Sequence, residues 1–251
     1  MNDNRGGRIN WLYDIILKLG YEKSESKKNI KTYDHVIRLV KPYTLTGISS
    51  IIALVDVVKY VCDNKIPGSI MECGVWKGGS MMVIAKTLLD LKQSNRDLYL
   101  FDTFEGMTKP TDNDQNMLTS EKAIVQFGKE KVSEDSSTWR RAPLDYVKKA
   151  VYSVGYDKKK IHFIKGKVED TIPEKAPEEI SILRLDTDFY ESTRHELVHL
   201  FPHISKGGVI LIDDYDSWTG AKKAVDEYIS NNNIPLLLNR IFKGGRIGVK
   251  I

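Results

Sequence analysis

At 251 residues, with 38 Lys plus Arg against 34 Asp plus Glu, the chain is long enough to bury a full core and carries a formal charge of only +4, spread along its length. That spread argues against nucleic-acid binding, which calls for a basic stripe on one face, and Cys62 and Cys73 are too few for a disulfide framework and lack metal-ligand spacing. No apolar run approaches the ~20 residues of a membrane span and residues 1–8 are polar, so a cytoplasmic protein with neither a nucleic-acid nor a membrane partner is expected.

In chain order, residues 1–48 form an N-terminal helical extension: an amphipathic segment over 9–19, a polar stretch over 22–31 and an apolar cluster over 36–40. This piece looks too polar to add much core, and a role in homodimerisation is expected of it. A single α/β domain follows over 49–251. It starts with a helix over 49–62, where Ile52, Leu54, Val55, Val58 and Val61 keep a 3.6-residue rhythm that ends before Pro67-Gly68. Next come a strand over 69–73, a helix over 80–92 and a strand over 98–102. A long excursion leads to strands over 160–164 and 180–185, a helix over 192–201, a strand over 208–212 and a helix over 221–231. Two short runs, 236–242 and 246–251, are joined by Lys243-Gly244-Gly245 and read as a hairpin. Such alternation implies a mainly parallel sheet of seven strands covered by helices, with an antiparallel pair at the end.

Chemistry gathers at the carboxyl ends of the predicted strands, where open α/β sheets bind their ligands. After the first comes Glu72-x-Gly74-x-x-x-Gly78-Gly79-Ser80, whose glycines allow a tight turn into a helix and whose free amides suit an anionic group. It matches neither the phosphate loop nor the dinucleotide fingerprint. Asp102 ends the second strand, where an acid can accept both hydroxyls of a ribose. Turn and acid together describe a nucleoside-containing cofactor without phosphates, such as S-adenosylmethionine. Asp186 and Asp188 follow one later strand and Asp213 and Asp214 another, and four carboxylates in one crevice need a cation. Aspartates at strand ends also serve as caps and turn formers, but four at two ends, with the glycine turn and Asp102, favour a site.

Two other patterns compete. His195-Glu196-Leu197-Val198-His199 fits the zinc-protease signature H-E-x-x-H, yet Leu197, Leu200, Phe201 and Ile204 form the core-facing stripe, which places the histidines and Glu196 mostly on the opposite side. Asp186-Thr187-Asp188 satisfies the D-x-D pattern of metal-dependent glycosyltransferases that use a nucleotide sugar, the alternative reading, which leaves the Glu72 turn and Asp102 unexplained.

Taken together, several phrases resemble the macrocin O-methyltransferase family of bacterial sugar methyltransferases. They are Tyr43-Thr44-Leu45-Thr46, Met71 through Ser80, Leu100 through Met107, Gly166 through Thr171, Leu183 through Thr193, Gly207-Gly208 and Ile212 through Tyr215. The resemblance runs in order from about residue 40 to about residue 230. It implies a Rossmann-like class I methyltransferase fold with an N-terminal helical lid, S-adenosylmethionine as methyl donor and Mg²⁺ or another divalent cation. On the matching positions it implies Asp186, Asp213 and Asp214 as metal ligands and Asp188 as general base, with Asp186 also catalytic and bordering the donor. Glu72, Gly74, Val75 and Ser80 would line the methionine end, Asp102 would hold the ribose, Val168, Glu169 and Asp170 would border the adenine, and Tyr43 and Thr44 would belong to the lid. One position departs: many members carry Gly where this chain has Thr187, which alters the backbone between the two aspartates.

The implied reaction has a physical logic of its own. A sugar hydroxyl is a poor nucleophile, a bound Mg²⁺ lowers its pKa, and Asp188 accepts the proton. The acceptor is expected to be a sugar, free or on a glycan or small molecule. The excursion over 105–160, with its 112–115 stretch, Trp139 and Arg140-Arg141, and the nearby Trp218 are candidates for its pocket.

Overall fold

The computed structural model describes residues 26–241 and 244–251. The amphipathic segment expected over 9–19 lies outside the described residues. Seven strands form one sheet in the order β3-β2-β1-β4-β5-β7-β6. They are β1 (Ser69–Cys73), β2 (Leu98–Asp102), β3 (Ile161–Lys165), β4 (Ile180–Leu185), β5 (Ile204–Ile212), β6 (Asn239–Arg240) and β7 (Arg246–Val249). The first five are parallel, and β7 pairs antiparallel with β5 on one side and β6 on the other. Of the described residues in the run expected over 236–242, the two of β6 pair with β7, and Ile241 N donates to Gly245 O at 3.0 Å.

Alternation along the strands divides the core between two faces. Ile70, Leu98, Leu100, Ile182, Val209 and Leu211 face one side, under α1 (Ser26–Val40), α2 (Ile48–Asp63), α3 (Gly79–Asp90) and α5 (Leu144–Tyr152). Met71, Cys73, Phe101, Leu183, Leu185, Ile210 and Ile212 face the other, under α7 (Tyr190–Leu200) and α8 (Thr219–Asn231). The excursion carries α4 (Ala123–Lys129) as well as α5, and the short α6 (Val168–Thr171) follows β3.

Two expectations need correction. Val36, Ile37 and Val40 of α1 are buried in the first core, so the end of the N-terminal piece is core material despite its polar composition. A few apolar residues at helical spacing suffice for that. On α7, Glu196 is fully buried while Val198 is 44% exposed, so the helix presents an acid, not only its leucines, to the interior.

Register makes the site. Cys73 pairs with Phe101 and with Leu185, and Leu185 pairs with Ile212. The next residue of each strand's path, Gly74, Asp102, Asp186 and Asp213, therefore stands in one row along the carboxyl edge. The chain builds outward from β1 through β2 to β3, then returns to add β4 and β5 on the other flank. The row spans that switch point, where open sheets leave a crevice.

Candidate active site

A cleft of about 360 Å³ opens over this row, a size suited to a small molecule. Its floor is Gly74, Val75, Ser80, Asp102, Asp186, Asp188, Asp213 and Asp214. Tyr43, Thr44, Leu45 and Thr46 close one side, Val168 and Glu169 another, and Met107, Thr108, Asn116, Trp139 and Arg140 of the excursion join Trp218 on the far side. Of the residues expected here, Glu72 lies beneath the lining and Asp170 is exposed outside it.

The glycine turn is held by close backbone contact. Gly74 has φ 81°, donates from its N–H to Phe101 O at 2.9 Å, and leaves no space for a side chain: a Cβ there would meet Asp186 O at 2.0 Å. Asp102 caps the turn from the neighbouring strand. Its Oδ2 accepts from Val75 N (2.7 Å) and Trp76 N (2.9 Å), and its Oδ1 accepts from Phe104 N (2.7 Å). Burial pushes this carboxyl up in spite of the three amide bonds.

Arg184, in the interior of β4 and 2% exposed, ties the acids together. Its Nη1 donates to Glu72 Oε1 (2.7 Å) and Asp186 Oδ2 (2.6 Å), and its Nη2 to Asp213 Oδ1 (2.7 Å) and, more loosely, Thr46 Oγ1 (3.4 Å). Burial would lower the guanidinium's pKa, but Asp186, Asp213 and Glu72 outweigh it and keep the group charged. Glu72, 1% exposed, is pushed by burial up to about 7 against the pull of Arg184 and Ser80, and its Oε2 has no hydrogen-bond partner.

The remaining acids face one another. Asp186, Asp188 and Asp214 each offer a carboxylate oxygen within 4.8 Å of the other two. Burial pushes Asp188 up to about 7 against a hydrogen bond with Asp214, with Asp186 and Asp213 adding to the rise. Burial, then Asp188, raises Asp214, whose buried Oδ2 has no hydrogen-bond partner. Asp186 is raised by burial, against Arg184 and with Asp213 and Asp214. This geometric cluster shares Asp186 and Asp214 with the ligand set implied by sequence. Asp213 stands beside it with one oxygen on Arg184.

Opposite the acids, Trp139, Phe189 and Trp218 form a ring cluster with centroids 5.7 to 5.9 Å apart, an arrangement of edges and faces that fixes the two indoles at the cleft wall. Asn116 and Trp218 share a backbone bridge, so the excursion is tied to the segment after β5. The H-E-x-x-H histidines take no part: His195 Nε2 lies 3.0 Å from Ile172 O, and neither joins a metal-like cluster among the described residues.

Arg184 was not singled out by sequence reasoning. The available signal was its position, the one charged residue in a six-residue strand run that is otherwise apolar but for Ser181, where a buried charge demands partners. Thr46 carries no such mark, and only the fold brings it to Arg184.

Comparison with known proteins follows the same outline. The profile of the family described as macrocin-O-methyltransferase (TylF) matches residues 18–246. The chain is 30% identical over 192 residues to the mycinamicin III 3''-O-methyltransferase of Micromonospora griseorubida, covering 76% of this chain and 72% of that one. It is 28% identical over 186 residues to the 8-demethyl-8-(2,3-dimethoxy-alpha-L-rhamnosyl)-tetracenomycin-C 4'-O-methyltransferase of Streptomyces olivaceus, covering 74% and 67%. Among solved structures, the O-methyltransferase NovP superposes with a TM-score of 0.72 at 25% identity, over 83% of this chain and 82% of that one.

Proposed function

The chain belongs to the macrocin O-methyltransferase family, and on that premise we propose that it moves the methyl group of S-adenosylmethionine to a hydroxyl of a sugar or glycosylated small molecule. In this reading Asp188 accepts the proton, and Mg²⁺ or another divalent cation binds among Asp186, Asp213 and Asp214. The observation that carries it is the facing of two features across one cleft: the glycine turn with its capping Asp102, and the three-carboxylate corner. The rhamnosyl acceptor of the tetracenomycin relative supports a sugar hydroxyl as target.

The corner fits a hard divalent cation. It has only oxygen donors, Asp214 Oδ2 is buried without a partner among the described residues, and the carboxylates raise one another while Arg184 bonds to two of the acids. When bound, the metal supplies Lewis acidity toward a sugar hydroxyl. Asp186 and Asp214 would hold it, with Asp213 offering the oxygen not bonded to Arg184.

The protein's own groups do the rest. An Asp188 carboxyl pushed up to about 7 is matched to take a proton near neutral pH, a role worth roughly 10²- to 10⁴-fold in rate. The first amides of α3 suit the carboxylate of the donor's methionine, Asp102 its ribose, and Val168 and Glu169 its adenine. Residues 43–46 exclude water from above, and Trp139 and Trp218 offer flat apolar faces to a sugar ring. Alignment for in-line displacement can lower the barrier by ~7 to 11 kcal/mol. The D-x-D glycosyltransferase alternative is not favoured, since the family and the relatives transfer methyl groups.

Calorimetry with S-adenosylmethionine, NAD and UDP-glucose, in Mg²⁺ and in EDTA, tests the reading. S-adenosylmethionine is expected to bind saturably and NAD not at all. UDP-glucose binding alone, and only with metal, would overturn the donor assignment. Asp188→Asn is expected to keep donor affinity while slowing methyl transfer by roughly 10²-fold or more, read with isotopically labelled donor over a panel of sugar acceptors.

A further inference from the structure

Glu196 has no part in the reaction described above, yet α7 carries it fully buried beneath the Asp186-to-Asp188 turn. Thr193, Leu197 and Leu200 share its buried face, a setting in which an apolar side chain would pack without cost. Burial pushes the Glu196 carboxyl well above the usual range, against a hydrogen bond with Thr187. Thr187 Oγ1 donates to Glu196 Oε2 at 3.1 Å, the buried Cys73 thiol lies beside the same carboxyl, and Oε1 makes no hydrogen bond of good geometry among the described residues.

Thr187 is the residue between two of the three clustered carboxylates, and the turn it belongs to is strained. Asp188 has φ 67°, in the left-handed region that a non-glycine residue seldom occupies. Phe189 N donates back to Thr187 O at 2.8 Å, closing a tight three-residue turn, and Ser192 Oγ reaches the same carbonyl at 3.4 Å. Such a conformation persists only where its surroundings over-determine it.

Both ends of the turn are fixed by other elements. Asp186 N donates to Cys73 O at 2.9 Å and its carbonyl packs on Gly74, so β1 holds the first residue. Phe189 is buried between Trp139 and Trp218, which hold the last. The side chain of Thr187 is the remaining handle, and Glu196 is what grips it.

We propose that Glu196, through the Thr187 hydroxyl, is a positioning residue that locks the Asp186-to-Asp188 turn so that both carboxylates face one divalent cation. This rests on the cation reading of the acidic corner. Glu196 touches neither donor nor acceptor, and its effect runs through the backbone of Thr187. A carboxyl fits the task because its Oε2 accepts from Thr187 at a buried position where a leucine could make no such bond.

The test uses Mn²⁺ as the probe, followed by electron paramagnetic resonance, with calorimetry of S-adenosylhomocysteine on the same samples. Thr187→Val keeps the shape and removes the hydroxyl, and Glu196→Leu removes the acceptor. Both are expected to weaken Mn²⁺ binding about 10- to 100-fold, as loss of ligand-orienting partners does, with S-adenosylhomocysteine affinity unchanged. Thr187→Ser and Glu196→Gln retain a donor and an acceptor and should restore Mn²⁺ affinity. In the metal-free protein the Phe189 amide should exchange faster in Thr187→Val than in Thr187→Ser. If Thr187→Val and Glu196→Leu bind Mn²⁺ as the wild type does while Asp186→Asn and Asp214→Asn lose it, the positioning role is overturned and the cation site stands. If Asp186→Asn and Asp214→Asn also bind Mn²⁺ normally, the cation reading itself fails and this inference falls with it.

Discussion

Arg184 is the residue on which the acidic floor depends. A guanidinium 2% exposed, with Glu72, Asp186 and Asp213 in direct contact, is stable only because each partner is there, and each partner relies on it in turn. Arg184→Met fills the same space but leaves Glu72 buried without its cation. Loss of a buried partner of this kind costs about 3–5 kcal/mol, and urea unfolding should read it directly. The donor site should weaken as well, since the Asp186 carboxylate would lose its bond to Arg184. At this scale the sequence was readable where chemistry and position coincide: Asp186, Asp188, Asp213 and Asp214 stand at strand ends, where function and turn-making both put acids. Glu196 was misread because helical periodicity sorts residues by polarity, and a buried acid is chosen for its hydrogen bond with Thr187 against its polarity.

Between elements, one buried side chain helps fasten the excursion to α7. Asp114 Oδ2 accepts from Thr111 N (2.7 Å) and Thr111 Oγ1 (2.9 Å), and its Oδ1 accepts from Tyr190 N (2.8 Å) at the start of α7. The fit extends to α8, where a Cβ on Gly220 would lie 1.9 Å from Asp114 Oδ1. Asp114→Ala leaves those donors unpaired, at a cost of about 1–3 kcal/mol. It should also open the excursion to trypsin at the exposed Lys122, Lys129 and Lys131, while the strands stay protected. At the other edge, β2 and β3 are joined by Asp97, which meets His162 Nε2 at 2.8 Å and Lys160 Nζ at 3.2 Å. Burial pushes the Asp97 carboxyl up, but these two partners outweigh it and hold it below the usual range. Its folded pKa being depressed, the contribution is complete above the unfolded value of ~3.9 and lost as pH falls through the folded one. Asp97→Asn should therefore be less stable than wild type at pH 7, and the gap should close as acid takes the pH below the unfolded value of ~3.9 and through the depressed folded one. The excursion shows what the pattern could not convey. Its length, Trp139 and Arg140 were legible as pocket candidates, but Asn116 was not, since tertiary ties such as Asp114 carry it to the cleft.

For the molecule as a whole, order of strands and order of chemistry coincide: four of the five parallel strands carry nearly every floor residue of the cleft at their carboxyl edge, and the helices cover both faces. That architecture was legible because strands buried on both faces read as apolar runs separated by helical periods. A ligand that binds only the folded form adds its free energy to the whole. S-adenosylmethionine at 100 times its Kd should stabilise the protein by about 2.7 kcal/mol, raising Tm by roughly 5–10 °C in a thermal scan, whereas NAD at the same concentration should leave it unchanged. The chain is basic overall, at +4, yet Glu72, Asp186, Asp188, Asp213 and Asp214 gather around one guanidinium. The proposed donor arrives as a sulfonium cation and leaves as a neutral thioether. Whatever negative charge the floor keeps once Arg184 and the proposed divalent cation are balanced attracts the first and has no hold of that kind on the second, which favours release of the spent molecule after each turnover.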